Sequence, residues 1–376
     1  DFSCAPQYRS HLLHDRVEAL ERVTVDGVRQ LITGARVVCG TVTAFSAHTE
    51  LFGLRGFDLA IVDEASQILE PHLIGLLGAC HDGKPARGRF VLIGDEKQLP
   101  AVVQQEQSES AVEEPELRAI GLTDCRLSFF ERMLRMHGKD NPSTCFLLRR
   151  QGRMHPSIAD FPNRAFYGNV LQPVPLPHQS EPAAETARGN DWVEDMLLTH
   201  RLAFVSCDPY LGPDEADKVN SAEAETIAAV AVTARRMAGD TYDATTTVGV
   251  IVPSRNQLAP VRAAIDKAAH AAGFDDMHDI AIDTVERYQG SQRDVIVYGF
   301  TAKRPYQLAF LTDTEYYDAT DNAVIDRKLN VAMTRARKRL VMVGYAPLLM
   351  RDTTFRRLIE YAREQKAFFK GKKVKR

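Results

Sequence analysis

A short apolar run that ends in two adjacent carboxylates constrains the fold of this chain more than any other stretch. Its sequence is FDLAIVDEASQ, at residues 57–67, and five of the six residues before the acidic pair are apolar. Such a run is typical of a strand buried inside a parallel sheet. Asp63 and Glu64 then lie at the carboxyl end of that strand, where open α/β sheets bind ligands. Buried carboxylates need a positive partner, although the dipeptide alone is also compatible with a solvated turn.

A second apolar run, RFVLIGDEKQLP at residues 89–100, breaks into Gly-Asp and then carries Gln98. A strand that ends in this way, followed by a glutamine that can reach forward, fits a loop that contacts the terminal phosphate of a nucleotide. In nucleotide-hydrolysing folds, an aspartate placed like Asp63 holds Mg²⁺ on the triphosphate, and the next acid positions the attacking water. The two runs together therefore indicate a nucleotide site.

Six stretches occur in the order in which superfamily 1 helicases carry their motifs. They are DEASQ (63–67), GDEKQLP (94–100), QGRMHP (151–156), VGVIVPSRNQ (248–257), DTVERYQGSQRDVIV (283–297) and LNVAMTRARKRL (329–340). Six ordered matches leave little room for chance. The chain resembles these helicases over nearly its whole length, and most of all the branch that holds the RNA helicase of nonsense-mediated decay and the helicase–nuclease that trims replication flaps.

The resemblance implies an α/β fold of two RecA-like domains with mainly parallel sheets. Residues 1–140 would form the first domain, with motifs Ia to III but without its N-terminal P-loop portion. Residues 141–376 would form the second domain, with motifs IV to VI. ATP would bind in the cleft between the domains, and a single strand of nucleic acid would cross both.

The resemblance also implies ATP and Mg²⁺ as cofactors, and a catalytic set of Asp63, Glu64, Gln98, Arg153 and Arg335. Asp63 would hold the metal, Glu64 would position the water, and Gln98 would relay the state of the γ-phosphate. The two arginines would stabilise charge on the transferred phosphoryl group from the second domain. Hydrolysis would then depend on closure of the domains.

The residues that would bind the nucleotide are Gln151, Gly290 and Gln292. The chain departs from the family pattern at two places here. Gly152 stands where the family has a tyrosine that stacks on adenine, so another side chain, such as a neighbouring arginine, would have to hold the base. Gln292 stands where the family often has glutamate, and its amide oxygen can still accept a hydrogen bond from a ribose hydroxyl.

The implied nucleic-acid contacts come from loops of both domains. They are Ala5, Pro6, Gly40, Thr41, Pro253, Ser254, Arg255, Thr284 and Val285. Contacts of this kind go mainly to phosphate and sugar, so little sequence preference is expected. The strand can be DNA or RNA, and the resemblance implies stepping from 5′ to 3′.

The 376 residues contain no G-x-x-x-x-G-K-[ST] motif, the loop that cradles phosphates in such enzymes. We expect an upstream segment of the same protein to supply it. The alternative is an ATPase-dead scaffold that binds nucleic acid and has lost the loop. A nuclease with this part as its motor is a third hypothesis, but the sequence shows no acidic cluster or metal motif for that reaction.

The composition of the chain excludes few classes of protein. The net charge of −3 does not indicate a nucleic-acid binder, but a helicase needs only a local basic groove. No apolar run approaches the ~20 residues of a membrane span, and no signal-peptide pattern opens the chain, so no membrane partner is expected. Six scattered cysteines without C-x-x-C spacing predict core thiols in a reducing compartment, cytoplasmic or nuclear.

Several segments carry predictions of local structure. Residues 35–42 read as a strand and the loop after it, and residues 203–206 read as a strand. Residues 330–338 read as a helix that carries both Arg335 and Arg337. We expect Arg337 to brace the domain, and residues 353–369 to form a closing helix. The segment 303–326 is longer than the matching link in simple relatives, and the sequence leaves open whether it is an accessory loop or a surface for protein partners.

Overall fold

The computed structural model describes residues 25–85, 87–139, 141–184, 189–212, 215–314, 316–318 and 323–371. The predicted contacts Ala5 and Pro6 lie outside these residues. The chain divides into two compact units, one of residues 1–96 and 100–146, the other of residues 97–99 and 147–376. The assignment of motif-bearing domains to residues 1–140 and 141–376 stays a prediction.

The elements of the first unit are short. Its helices are α1 (Val25–Gly34), α2 (Val42–Ala47), α3 (Leu51–Leu54), α4 (Glu70–Leu77), α5 (Gln107–Ser110), α6 (Pro115–Ala119) and α7 (Phe129–His137). Its strands are β1 (Phe57–Val62), β2 (Cys80–His81), β3 (Lys84–Pro85) and β4 (Arg87–Leu92). Residues 65–67 form a 3₁₀ turn directly after β1 and the acidic pair.

The second unit has longer elements. Its helices are α8 (Pro156–Phe166), α9 (Pro177–Ser180), α10 (Trp192–Thr199), α11 (Ser221–Ala238), α12 (Leu258–Ala271), α13 (Leu308–Leu311), α14 (Arg327–Thr334), α15 (Ala346–Leu349) and α16 (Thr353–Glu364). Its strands are β5 (Arg150–Gln151), β6 (Gln172–Pro173), β7 (Leu202–Ser206), β8 (Val248–Val252), β9 (Ala281–Thr284), β10 (Arg293–Gly299), β11 (Tyr316–Asp318), β12 (Ala323–Ile325), β13 (Ala336–Gly344) and β14 (Phe368–Lys370).

The sheet of the second unit confirms the predicted α/β fold class. Six strands pair in parallel in the order β14–β7–β13–β10–β8–β9. Alternate side chains of these strands enter two hydrophobic clusters, one shared with α8, α14 and α16 and the other with α10, α11 and α12. Helices on both faces are what a parallel sheet needs, because its strands are apolar on both sides.

The prediction that residues 57–62 form a buried strand is wrong about burial. Strand β1 forms and pairs in parallel with β4, but Leu59 is 47% exposed and Ile61 is 63% exposed. Phe90 and Val91 of β4 are exposed as well. Within the described residues each of these strands has one neighbour, so the apolar side chains are not enclosed. A parallel pair of this kind ordinarily lies inside a larger covered sheet.

Two predicted helix ends are wrong because strand pairing takes over from each helix, and one predicted strand does not form. Helix α14 ends at Thr334, and Ala336 instead pairs with Arg293 of β10 to begin β13. The predicted closing helix ends at Glu364, after which residues 368–370 pair with β7. Residues 35–41 form no strand, and Thr41 caps α2 with its hydroxyl.

The cysteines agree only in part with the prediction of core thiols. Cys207 is buried, whereas Cys39, Cys80 and Cys125 are exposed. The exposed thiols all belong to the first unit, where β1 and β4 also expose apolar side chains. Among the described helices, none is both long and apolar enough to span a bilayer.

A fully buried carboxyl lies near the start of α11. Asn220 caps this helix by accepting a hydrogen bond from the Glu223 amide at 3.2 Å. The Glu223 carboxyl accepts hydrogen bonds from the Thr301 amide at 2.8 Å, and Thr301 holds a left-handed φ of 59° just after β10. Burial raises the pKa of Glu223 from 4.5 to about 8. The group is therefore protonated in the folded protein at a pH where the unfolded chain has lost that proton.

This raised pKa predicts a specific pH dependence of stability. Between about pH 5 and pH 8 the folded state binds a proton that the unfolded state lacks, so the free energy of unfolding falls as pH rises, by roughly 1.4 kcal/mol per pH unit. Glu223→Gln cannot titrate and removes this slope. We expect the unfolding midpoint of the variant to rise relative to that of the wild type through this window. The difference between the two midpoints should become constant above about pH 8.

Glu225→Gln is the matched control, because Glu225 is exposed on the same helix. Its unfolding midpoint should run parallel to that of the wild type at every pH. Parallel curves for Glu223→Gln would contradict the raised pKa.

Candidate functional site

The acidic pair of the first unit lies in a tight turn at the carboxyl end of β1. The Ala65 amide donates to the Ile93 carbonyl at 2.7 Å, and the Ile93 amide donates to the Val62 carbonyl at 2.8 Å. These bonds join the turn after β1 to the turn after β4. A Cβ at Gly94 would lie 2.9 Å from the Ser66 backbone nitrogen, so the close approach requires glycine there.

Glu64 has a left-handed backbone, with φ 52° and ψ 36°. A non-glycine residue in this region costs about 1–3 kcal/mol and often occurs at functional sites. The Glu64 amide donates to Asp63 Oδ1 at 2.9 Å, and Gln67 Nε2 donates to Glu64 Oε2 at 2.6 Å. Both acids are exposed. The turn thus presents two oriented carboxylates to solvent.

The donor set around Asp63 suits Mg²⁺ that arrives with a nucleotide. Among the described residues, no group of three or more His, Cys, Asp or Glu could hold a metal ion by itself. Mg²⁺ commonly takes only one or two protein carboxylates and completes its shell with phosphate oxygens and water. One exposed aspartate beside a second acid fits that requirement.

In the second unit, Gln151 fixes the turn that carries Arg153. Gln151 Oε1 accepts hydrogen bonds from the Arg153 amide at 3.1 Å and from the Met154 amide at 2.8 Å. Gln151 Nε2 donates to the Met154 carbonyl at 2.9 Å, and Gln179 donates to the same carbonyl from α9. The amide of Gln151 is therefore committed to its own turn, although the sequence predicts it as a nucleotide contact.

Four of the predicted residues, from four separate motifs, form two hydrogen-bonded pairs next to one another. Arg335 Nη2 donates to Gln98 Oε1 at 2.7 Å, and Arg153 Nε donates to Gln292 Oε1 at 3.0 Å. Arg153 Nη1 also approaches the Thr334 carbonyl at 3.3 Å, one residue before Arg335. Arg335 is 2% exposed, and its Nε donates to a carbonyl within α14.

The parallel register explains why Gln292 and Arg335 are neighbours. Arg293 pairs with Ala336 at the amino ends of β10 and β13, and the Arg293 amide donates to the Arg335 carbonyl at 3.1 Å. Gln292 and Arg335 each immediately precede these first paired residues. Gly290 lies in the turn before β10 with φ 78°, a conformation that favours glycine.

The predicted nucleic-acid contacts of this unit lie at the opposite end of the sheet. Residues 253–255 follow β8, and Thr284 ends β9 in register with Val252. Strand β10, between the two ends, has seven residues and so spans roughly 20 Å. The structure therefore places the candidate nucleotide residues and the candidate strand contacts at different ends of one sheet.

The candidate nucleic-acid contacts differ in how exposed their side chains are. The Arg255 side chain is exposed, whereas Ser254 Oγ accepts a hydrogen bond from the Asn256 amide. Thr284 is 6% exposed and Val285 is 2% exposed, so their side chains do not face solvent. In the first unit, Gly40 and Thr41 are exposed, and the Thr41 hydroxyl accepts a hydrogen bond from the Ala44 amide.

Other side chains agree with, or add to, the sequence interpretation. Arg337 Nη1 bonds to Asp294 at 2.7 Å, the bracing contact expected of it. Lys97, Asn330 and Asp318 meet beside Gln98, and sequence reasoning assigned no role to them. Lys97 lies inside the GDEKQLP motif, and this position could have identified it as a candidate. Nothing in the sequence around Asp318 distinguishes that residue.

The three bonds of the Gln151 amide lead to a test by hydrogen exchange. Gln151→Ala removes two acceptor contacts and one donor contact, and we expect the opening free energy of the turn to fall by about 1–3 kcal/mol. The amides of Arg153 and Met154 should then exchange about ten- to a hundredfold faster. Arg150→Ala is the control, because its side chain is exposed on the adjacent residue. Unchanged exchange in Gln151→Ala would contradict this account of the turn.

Comparison with known proteins gives two family matches and several relatives. The AAA_12 family (AAA domain) matches residues 125–347, and the AAA_11 family (AAA domain) matches residues 7–106. The DNA replication ATP-dependent helicase/nuclease JHS1 of Arabidopsis thaliana is 26% identical over 371 residues, covering 95% of this chain and 24% of that protein. The helicase/nuclease DNA2 of Bos taurus is 26% identical over 344 residues, covering 86% of this chain and 28% of that protein.

The probable helicase MAGATAMA 3 of Arabidopsis thaliana is 27% identical over 365 residues, covering 93% of this chain and 38% of that protein. The chain thus spans between about a quarter and two fifths of the length of these relatives. The AAA_12 match alone covers more than half of the chain. With the six ordered motifs and the parallel sheet that carries three of them, the chain belongs to the AAA-domain superfamily 1 helicases, in the branch that includes the DNA2-like proteins.

Proposed function

We propose that this chain is the motor part of an ATP-dependent helicase that couples ATP hydrolysis to movement along a single strand, from 5′ to 3′. The observation that carries the proposal is the convergence of Gln98, Arg153, Gln292 and Arg335 at one end of the sheet. The names of the relatives, ATP-dependent helicases, support the choice of nucleotide.

The two units would contribute different chemistry to the same triphosphate. Bound ATP would supply the electrophilic γ-phosphorus and lose ADP as the leaving group, and Asp63 would be the protein ligand of Mg²⁺. Glu64 orients the attacking water and accepts its proton, since an exposed carboxylate in a fixed turn can do both. The guanidinium groups of Arg153 and Arg335 donate to the equatorial oxygens, where charge develops.

The hydrogen bonds of Arg335 suit a group that responds to phosphate. Gln98 holds Arg335 Nη2, so the same side chain that senses the γ-phosphate also orients the arginine. A guanidinium keeps its charge when buried, and the planar fork of its N–H donors matches the oxygens of a phosphate.

We propose that the single strand of nucleic acid contacts the carboxyl end of the six-stranded sheet. The exposed Arg255 provides a cation for phosphate there. Because Thr284 and Val285 are buried, they would act through their backbone groups. Such contacts read phosphate and sugar, and both DNA and RNA offer these groups.

We further propose that an additional segment of the protein completes the first unit and supplies the phosphate-binding loop. The support is physical: Leu59, Ile61, Phe90 and Val91 are exposed on a two-stranded parallel sheet. Strands of parallel sheets are normally covered on both faces and flanked by further strands. A strand that leads into a glycine-rich loop would pair with this sheet and cover its apolar side chains.

The second candidate function is an ATPase-dead scaffold that binds nucleic acid. The absence of a phosphate-binding loop from the 376 residues and the glycine at position 152 favour it. It predicts strand binding without any nucleotide turnover. The oriented pair of Asp63 and Glu64 favours the motor, because a scaffold has no use for a left-handed glutamate in an acidic turn.

Glu64→Gln separates the two candidates. In the protein that carries this chain together with a phosphate-binding loop, the motor predicts strand-stimulated ATP turnover that falls by at least about 100-fold in the variant. Nucleotide affinity should stay close to that of the parent, because the amide keeps the size of the side chain and Asp63 still binds the metal. Steady-state phosphate release and equilibrium nucleotide binding are the two measurements.

Glu113→Gln is the matched control, since Glu113 is exposed in the acidic loop of the same unit. It should match the parent in both assays. A Glu64→Gln protein that keeps full turnover would refute the role given to Glu64. A parent without turnover above the variant would favour the scaffold.

A further inference from the structure

The three-residue segment 97–99 is embedded in the second unit, although residues 96 and 100 belong to the first. Lys97 is 7% exposed, and Leu99 lies in the hydrophobic cluster with Met154 and Ile158 of the QGRMHP turn and α8. Between them, Gln98 accepts the hydrogen bond of Arg335. The position of Gln98 is thus determined by how its two neighbours are held.

Lys97 is held through its side chain by a buried ion pair. Its ammonium nitrogen lies 2.7 Å from Asp318 Oδ2 and donates to the Phe166 carbonyl at 2.7 Å. The two side chains are 9% and 2% exposed. The ammonium also lies 5.6 Å from the ring centroid of Tyr167. Removing one partner of such a pair leaves an uncompensated buried charge, so the pair fixes geometry strongly.

Lys97 is also held through its backbone. Asn330 Nδ2 donates to the Lys97 carbonyl at 2.7 Å and to the Tyr167 hydroxyl at 2.9 Å. Asn330 lies on α14, the helix that ends directly before Arg335. Helix α14 therefore bonds to Lys97 through Asn330, and the residue that follows the helix, Arg335, bonds to Gln98.

Asp318 reaches Lys97 from the hairpin of β11 and β12, within the segment 303–326 whose role the sequence left open. Strand β12 ends at Ile325, which is fully buried in the same cluster as Leu99. The next residue, Asp326, caps α14 by accepting a hydrogen bond from the Leu329 amide at 3.1 Å. The hairpin is therefore anchored to the start of the helix whose other end presents Arg335.

From this geometry we propose that Asp318 is a positioning residue: its ion pair with Lys97 holds the Gln98 amide oxygen on Arg335 and so sets the guanidinium for the nucleotide. The inference rests on the proposed function and names the part of that site which the hairpin controls. Asp318 does not touch the nucleotide. It acts through Lys97 and Gln98 on the arginine.

Asp318→Asn tests the proposal, because asparagine keeps the size and one acceptor but removes the charge. The first readout needs no nucleotide: hydrogen exchange in the peptides that contain residues 97–99 and 331–336 should speed up together. The second readout is kinetic. In the protein with its phosphate-binding loop, strand-stimulated kcat should fall about tenfold while KM for ATP changes little.

The matched control is Asp313→Asn. Asp313 forms a second ion pair with Arg327 at 2.9 Å in the same region, with side chains 15% and 9% exposed, and it bonds to neither Lys97 nor Gln98. A loss of charge there should lower stability to a similar extent. Exchange at residues 97–99 and kcat per folded molecule should stay at the parent values.

A double-mutant cycle keeps the test valid if one variant is unstable. Lys97→Met removes the ammonium, and the double variant Lys97→Met/Asp318→Asn removes both charges. If the two residues act only through their ion pair, kcat of the double variant is no lower than kcat of the less active single variant. All kinetics are measured well below the unfolding midpoint of each variant.

The outcomes separate this inference from the proposed function. An active parent whose Asp318→Asn variant keeps its kcat, or shows unchanged exchange at residues 97–99, overturns the positioning role alone. A parent without ATP turnover overturns the proposed function, and the positioning role with it. Faster exchange in both peptides, a lower kcat and a non-additive double variant support the inference.

Discussion

The pairing of β10 with β13 is the constraint on which the candidate site depends. Because the two strands are parallel and start in register at Arg293 and Ala336, the residues just before each of them must be neighbours. Those residues are Gln292 and Arg335. A shift of one residue would turn the buried side chains of β13 to the wrong face, and the two apolar clusters of the sheet resist that shift. The hydrophobic core thus sets the geometry of a polar site.

Under the proposed function, the same sheet would separate the nucleotide site from the nucleic-acid contacts. Residues suited to a phosphate lie at the amino ends of its strands, and the exposed Arg255 lies beyond their carboxyl ends. A parallel sheet with apolar layers on both faces is a stiff connection between these ends. Movement of one end would therefore be transmitted to the other, as a motor that couples a nucleotide to a strand requires.

The sequence predicts those parts of the fold that local patterns determine. The apolar run at residues 203–206 is a strand as expected, because a buried parallel strand is apolar along its whole length. The end of α14 is missed because pairing with β10 takes over at Ala336. The exposure of β1 depends on how many neighbours it has, and its own sequence carries no record of that.

The sequence likewise predicts one part of the candidate site, and only the fold determines the rest. The motifs identify Gln98, Arg153, Gln292 and Arg335, and the structure brings them together. The sequence does not reveal that the Gln151 amide is used by its own turn, since that depends on backbone conformation. Nor does it reveal the pair of Lys97 and Asp318, because the two residues are far apart in the chain and only the fold makes them neighbours.

Under the proposed function, Arg335 stabilises the charge that develops on the transferred phosphoryl group. Binding of MgADP with aluminium fluoride, a mimic of the phosphoryl group in transfer, tests it most directly in the protein with its phosphate-binding loop. The parent should bind this mimic more tightly than MgADP alone, and Arg335→Gln should lose the preference while keeping its affinity for MgADP. An Arg335→Gln protein that retains the full preference would contradict this role of Arg335.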